Sequence, residues 1–202
     1  MNTPENMGAV ILAAGSSSRL GHPKQLVEYR GKSLLQHTID CVDDFGFNPS
    51  LVVLGAKKDE ILPSINRHSS SVFINHDWSE GIASSIRYGL EKSLELNPLM
   101  KQILYLLSDQ PYVSSAIIRS IIDNHVTGSQ LITACTYKDN IGVPAIFDKS
   151  LFPELMTLKG DTGAKKIMMQ HHKNVQTIPF DNGAFDVDTK DDIDKLYAIN
   201  QK

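Results

Sequence analysis

Near the N-terminus, Leu12-Ala13-Ala14-Gly15-Ser16-Ser17-Ser18-Arg19-Leu20-Gly21-His22-Pro23-Lys24 combines small side chains with two cations. Small residues let backbone N–H groups close around a polyphosphate as a nest, while Arg19 and Lys24 supply charge. Two better-known phosphate loops are excluded. Gly15 and Gly21 are separated by five residues, so there is no GxGxxG, and Lys24 precedes Gln25 rather than Ser or Thr, so there is no Walker loop. A flexible connection with a solvated basic face is the alternative, but two cations in so short a run of small residues favour phosphate. The second centre is Asp109, which follows the apolar run Ile103 to Leu107. A carboxylate there is costly unless it is paired or binds a cation, and magnesium prefers oxygen ligands. An N-cap or turn role before Pro111 is the alternative.

Other chemically capable residues carry weaker signals. The seven histidines have no metal-ligand spacing. His171-His172 suits the negative end of a helix better than zinc. His22 lies within the loop without a clear role. Trp78 and Phe73 read as core or wall residues rather than base-stacking platforms.

These groups need a scaffold that brings strand ends together. Strand-length apolar runs occur at residues 9–13, 51–54, 72–74, 103–107 and 131–135, with a shorter one at 145–147. Continuous rather than alternating apolar character suits strands buried on both faces. Ser33 and Gln36 form a capping-box pattern before an apolar stripe that ends near Phe45 and Gly46. Helical stripes also run from Ile82 to Leu94 and from Ile117 to His125. This alternation predicts an α/β three-layer sandwich with a mostly parallel sheet and right-handed crossovers. In such a sheet, ligands bind beyond the C-terminal ends of the strands. Asp139 to Pro144 reads as a turn, and Asp161 or Thr162 to about His172 reads as a polar helix. The chain is expected to be one domain over 1–202. Residues 1–137 form the nucleotide-binding part, 138–185 the acceptor part and 186–202 a closing helix.

Composition narrows the function. The chain has 202 residues and a net charge of −3, which argues against nucleic acid as the main partner. No run approaches the roughly 20 apolar residues that span a bilayer, and the N-terminus has no basic leader pattern, so the expectation is a cytoplasmic protein. Cys41 and Cys135 lack CxxC spacing and read as reduced, buried thiols.

Together the motifs resemble the nucleotidyltransferases related to the molybdenum-cofactor enzymes, most of all the molybdenum cofactor cytidylyltransferases. Besides LAAGSSSRLGHPK, the resemblance rests on Ser108-Asp109-Gln110-Pro111, Gly142-Val143-Pro144, Gly160-Asp161-Thr162-Gly163-Ala164-Lys165 and Asp186-Val187-Asp188-Thr189. Asn75 to Gly81 followed by Ser84-Ser85 resembles the segment beside the nucleotide base. The resemblance implies a Rossmann-like fold of the nucleotide-diphospho-sugar transferase type. It also implies transfer of CMP from CTP to the terminal phosphate of a molybdopterin-type acceptor, with release of pyrophosphate. Leu12, Ala13, Ala14, Gly15, Ser16, Ser17, Arg19, Lys24, Asn75, Gly81, Ser84, Ser85 and Asp109 would bind nucleotide, with Lys24, Arg19 and Asp109 catalytic. Gly142, Pro144, Gly160, Asp161, Gly163 and Lys165 would bind acceptor, although Asp161 also suits a helix cap. Lys165 stands where the family has Arg, which weakens bidentate phosphate recognition there. Asp109 and Asp188 would hold Mg2+, with Asp186 and Asp188 interchangeable as the second ligand and Asp188-Thr189 equally able to cap the last helix. Ala14 points to CTP, because guanylyl-transferring relatives resemble LAGG here. A molybdoenzyme or its maturation chaperone would receive the product.

Three rivals remain. A GTP-dependent molybdopterin guanylyltransferase, or a different cytidylyl- or sugar-phosphate nucleotidyltransferase, would keep the first loop and Asp109. A non-catalytic pterin-binding insertion protein would keep the acceptor side. A nicotinamide-dependent oxidoreductase shares the α/β class but is disfavoured by the missing GxGxxG.

Overall fold

The computed structural model describes residues 6–138 and 140–200. Its strands are β1 Met7–Ala13, β2 Glu28–Tyr29, β3 Lys32–Ser33, β4 Ser50–Leu54, β5 Ser71–Ile74, β6 Gln102–Leu107, β7 Ile132–Tyr137, β8 Asn140–Asp148 and β9 Val175–Pro179. Its helices are α1 Leu34–Asp43, α2 Lys58–Ile61, α3 Ile82–Leu96, α4 Ser115–Thr127, α5 Phe152–Leu155, α6 Lys165–Gln170 and α7 Lys190–Asn200.

Seven strands form one sheet in the order β5-β4-β1-β6-β8-β7-β9, and β2 and β3 form a separate hairpin. The β5-β4-β1-β6 half is parallel, as is the β7-β9 pair, while β8 runs antiparallel to both β6 and β7. Along β1, Ala9, Ile11 and Ala13 pack on one face with α1 and α4. Val10 and Leu12 face the other side, against Ala83, Ile86 and Leu90 of α3. All of β1 is buried, as the continuous apolar run requires. The expected three layers are therefore present.

Two expected elements are corrected. The turn expected over 139–144 is a strand from Asn140 onward, with the chain reversing at Lys138, where φ is +52°. Asp139 lies outside the described residues. Pro144 fits within a strand because the register shifts between Ala134 and Cys135, which pair with Ala145 and Gly142. Val143 and Pro144 fall in that bulge, where a missing N–H costs no ladder bond. The helix expected from 161 or 162 to 172 is only Lys165–Gln170, followed by a short turn at His172–Asn174. Gly160, with φ +60°, and Gly163 hold the preceding residues in a loop. Asp161 does not cap that helix: its N-cap is Ala164, with no side-chain bond.

Other local expectations need smaller adjustments. Ser33 caps α1 by accepting from the Gln36 amide at 3.2 Å, but the Gln36 side chain turns to Asp40 and Asn66. The capping box is thus half-formed. At α7, Thr189 and Asp192 cap each other reciprocally. The expected closing segment 186–202 is a loop carrying Asp186 and Asp188, followed by α7, with 201–202 outside the described residues. Cys135 is buried, and burial pushes its thiol up to about 12; Cys41 is only half-buried, and both are free.

Candidate active site

The C-terminal ends of β1 and β6 are adjacent and parallel, Leu12 pairing with Leu107. The loop after each strand therefore opens on the same side of the sheet. Between them lies a cavity of about 380 Å³ lined by Leu12 to Ser16, Lys24, Gln25, Trp78, Gly81, Ser85 and Asp109, among others. The Gly15 and Ser16 amides donate to no protein acceptor among the described residues, which leaves them free for an anion.

Gln25 shapes this loop, and the sequence reading gave it no role. Its side chain is fully buried, and its amide nitrogen donates to Ala13 O at 2.8 Å and Gly15 O at 3.2 Å. Ser17 secures the return: its φ is +53°, and its hydroxyl accepts from the Lys24 amide at 3.0 Å. Ser17 is not among the cavity-lining residues. The Lys24-Gln25 step that excluded a Walker loop was the available signal, since Gln can satisfy two carbonyls at a bend.

The charged cluster sits at the mouth of this loop. Lys24 Nζ lies 2.5 Å from Asp109 Oδ2 and 2.7 Å from Asp188 Oδ1, and Arg19 Nη2 lies 2.8 Å from Asp188 Oδ2. Burial pulls the Lys24 pKa down, but Asp109 and Asp188 override it, so the amine is held charged above its ordinary value. Burial likewise opposes ionisation of Asp188, yet Lys24 and Arg19 keep its carboxyl below the usual range. Asp186 forms no ion pair among the described residues, and burial together with Asp109 and Asp188 outweighs the pull of Lys24 and pushes it up to about 6. The loop carrying both late aspartates is tied to the Asp109 strand end: Val187 N donates to Asp109 O at 3.0 Å.

A divalent metal fits this donor set. Asp109 Oδ1 is buried with no hydrogen-bond partner, an orphaned acceptor of the kind a cation satisfies. The Lys24 ammonium already stands as a cation between two carboxylates. Among the described residues no three His, Cys, Asp or Glu side chains form a ready cage. One or two carboxylates completed by substrate phosphates is how magnesium-type ions are usually held.

The remaining expected residues divide between two cavities and the interior. Asn75 and Ser84 are buried, and Asn75 Nδ2 donates to Ser84 Oγ at 2.9 Å and Ser85 Oγ at 3.0 Å. These atoms knot the start of α3 instead of facing the cavity; Ser85 and Gly81 do line it. Asp161, assigned to the acceptor side, lines this same cavity, because Gly160 packs on Gly81. A Cβ at 81 would come within 2.5 Å of Gly160 O and Asp161 Oδ1. Trp78 forms wall, as expected, while His22 is exposed and lines a different groove, beside Leu20 and Tyr197. Arg19 is mostly exposed and not in the lining. The Ala14 methyl abuts Gly55, where an added Cβ would be only 2.8 Å away.

A second cavity of about 380 Å³ adjoins the first through Leu12, Ile82 and Leu107. Ile86, Ile141, Val143 and Met168 make it apolar, and it includes the expected acceptor residues Gly142, Gly163 and Lys165. Pro144 is buried in β8, outside both linings. His171, expected at a helix end, follows α6 and pairs with Glu154 at 2.9 Å.

An open α/β sheet with a small-residue anion loop, a lysine and carboxylates at the strand ends defines a nucleotide-handling protein of the phosphate-transferring kind. Residues 9–175 match the MobA-like NTP transferase domain, and the chain belongs to that family. It is 30% identical over 199 residues, covering 94% of each chain, to the nicotine blue oxidoreductase of Paenarthrobacter nicotinovorans. Rv0371c from Mycobacterium tuberculosis H37Rv superposes with a TM-score of 0.82 at 34% identity, covering 95% of this chain and 98% of that one. A manganese complex of Rv0371c superposes at 0.79 with 32% identity, over 95% and 97% of the two chains. The Archaeoglobus fulgidus molybdopterin-guanine dinucleotide biosynthesis protein A, at 18% identity and TM-score 0.69 over 96% and 98%, shares the fold. No helix among the described residues is long and apolar enough to cross a membrane.

Proposed function

We propose that the chain transfers CMP from CTP to the terminal phosphate of a molybdopterin-type acceptor and releases pyrophosphate. The observation that carries this reading is the pair of adjoining cavities, one anion-binding and one apolar, meeting beside the Lys24, Asp109 and Asp188 cluster. The first suits a triphosphate and the second a flat heterocyclic body. The loop from Leu12 to Ser16 holds the phosphates through its amides, with Gln25 fixing its shape. Gly81 and Ser85 border the nucleoside. Lys24 swings from the carboxylates to the α-phosphate, where charge grows as the leaving group departs. Arg19, at the exposed edge, meets the outer phosphates. Asp109 and Asp188 would hold Mg2+, which when bound would neutralise charge on the phosphates. An acceptor phosphate oxygen forms the new bond to the α-phosphorus while the α–β bridging bond breaks. Manganese in the Rv0371c complex supports divalent-metal use. A cytoplasmic site of action and delivery of the product to a molybdoenzyme or its chaperone complete this reading.

A redox reading has one specific observation in its favour: the Paenarthrobacter relative is a nicotine blue oxidoreductase. One experiment separates the two. The chain is incubated with molybdopterin, Mg2+ and each of CTP, GTP, ATP and UTP, and pyrophosphate is measured; in parallel it is given nicotine blue with NADH or NADPH. Pyrophosphate confined to CTP supports the cytidylyl reading. Equal release from GTP overturns the choice of nucleotide, and dye reduction without pyrophosphate release overturns the transferase reading.

A further inference from the structure

Tyr137 ends β7 and lines the apolar cavity together with Gly142. Its hydroxyl sits directly over Gly142: a Cβ at 142 would overlap the tyrosine oxygen and lie 2.8 Å from Cζ. A second glycine borders the ring, since a Cβ at Gly183 would come within 3.0 Å of its Cδ1. A side chain at 142 would displace the ring, and one at 183 would press on it while clashing with Phe180 at 2.5 Å, so Gly142 above all seats it. Gly183 is anchored in turn, because its carbonyl accepts from Gln110 Nε2 at 3.0 Å, beside Asp109.

Three polar side chains line this cavity. Lys165 Nζ is taken up by Asn140 Oδ1 at 2.8 Å. The Tyr137 hydroxyl has no hydrogen-bond partner among the described residues, so it is an unengaged donor in the lining. Burial, followed by the nearby Asp186 and Asp109, raises its pKa and keeps the proton on the oxygen.

Resting on the transferase reading above, we propose that Tyr137, in the lining of the apolar cavity, positions the acceptor by donating a hydrogen bond to an anionic oxygen of its terminal phosphate. A neutral phenol suits that task. It orients the phosphate without neutralising the oxygen that must attack, whereas a second lysine would lower its nucleophilicity. It also offers a donor where Asp109 and Asp186 would otherwise repel an approaching anion. Gly142 thus also serves the site by leaving room for the Tyr137 hydroxyl.

The test is Tyr137→Phe, which keeps the ring and removes only the hydroxyl. The full chain and the variant are titrated calorimetrically with molybdopterin and, separately, with Mg·CTP. Steady-state KM and kcat are measured for both substrates. The expected result is a rise of about tenfold or more in the molybdopterin Kd and KM, with the CTP Kd and melting temperature unchanged. A merely structural role would move the melting temperature and both substrates together, and that result overturns the proposal. Unchanged molybdopterin binding by the variant overturns it too, leaving the transferase reading intact. A wild-type chain that binds CTP but not molybdopterin overturns the proposed acceptor and the Tyr137 assignment together.

Discussion

Replacing Gln25 by leucine removes the one side chain that ties the anion loop to the end of β1 at two points. Leucine nearly matches glutamine in volume, so no large cavity opens and the effect comes from hydrogen bonds. Gln25 is fully buried and donates to the carbonyls of Ala13 and Gly15. Ala13 is itself buried, so an acceptor left unpaired there costs about 1–3 kcal/mol. Gly15 is exposed, and water takes over its carbonyl at little cost. The expected loss is therefore about 1–3 kcal/mol. At about 2–4 °C per kcal/mol for a chain of this size, the melting temperature falls by about 2–12 °C. The same change frees the loop between Gly15 and Ser17, so CTP binding weakens. Gln25→Glu should be worse, since it sets an acceptor against two carbonyl oxygens. Thermal melts and CTP titrations of both variants provide the assay. A Gln25→Leu protein that melts within 1 °C of the parent and binds CTP equally well would show that the loop is shaped by something else.

Two further changes probe the charged cluster and the core. Lys24→Ala should lower the rate of pyrophosphate release more than it weakens CTP binding, because the lysine acts on charge that grows during transfer; a variant altered only in KM would contradict this. The same variant leaves Asp109 Oδ2 and Asp188 Oδ1 facing each other, so it should melt lower without metal and recover with Mn2+. That loss should fall short of the roughly 3–5 kcal/mol typical of breaking a fully buried pair, because the Asp188 side chain is 34% exposed. His125 is buried, shares a hydrogen bond with Thr133 at 2.9 Å, and has its pKa lowered chiefly by burial. The unfolded chain therefore binds a proton more readily, and stability should decline as pH falls below about 6.5, the ordinary histidine value. His125→Gln should flatten that acid limb in urea titrations, and an unchanged slope would remove His125 as its source.

The parts of the fold legible in the sequence were those set by local pattern. The apolar runs of β1, β4 and β6 require burial on both faces, and the helical stripes of α1, α3 and α4 require a sheet beneath them. The small-residue loop and Asp109 were legible because their chemistry is unusual at strand ends. What escaped depends on contacts between distant segments. Turn-like residues 140–144 became strand because a bulge accommodates Pro144, which composition cannot announce. Asn75 and Ser84 resemble residues beside a nucleotide base, yet their polar side chains satisfy one another inside. Asp161 entered the first cavity because Gly160 nests on Gly81, 79 positions earlier in the chain. The role of Gln25 was hidden for the same reason, its partners being carbonyls of the preceding strand and loop.

The central claim is that an α-phosphorus is transferred and pyrophosphate leaves, and labelled CTP tests it directly. Protein, Mg2+ and molybdopterin are incubated with CTP carrying 32P at either the α- or the γ-position, beside an Asp109→Asn control. The account predicts that α-label appears in a new acceptor-bound species while γ-label appears in pyrophosphate, and that the control does neither. Transfer of γ-label to the acceptor, or CTP left intact by the unmodified chain under these conditions, would contradict it.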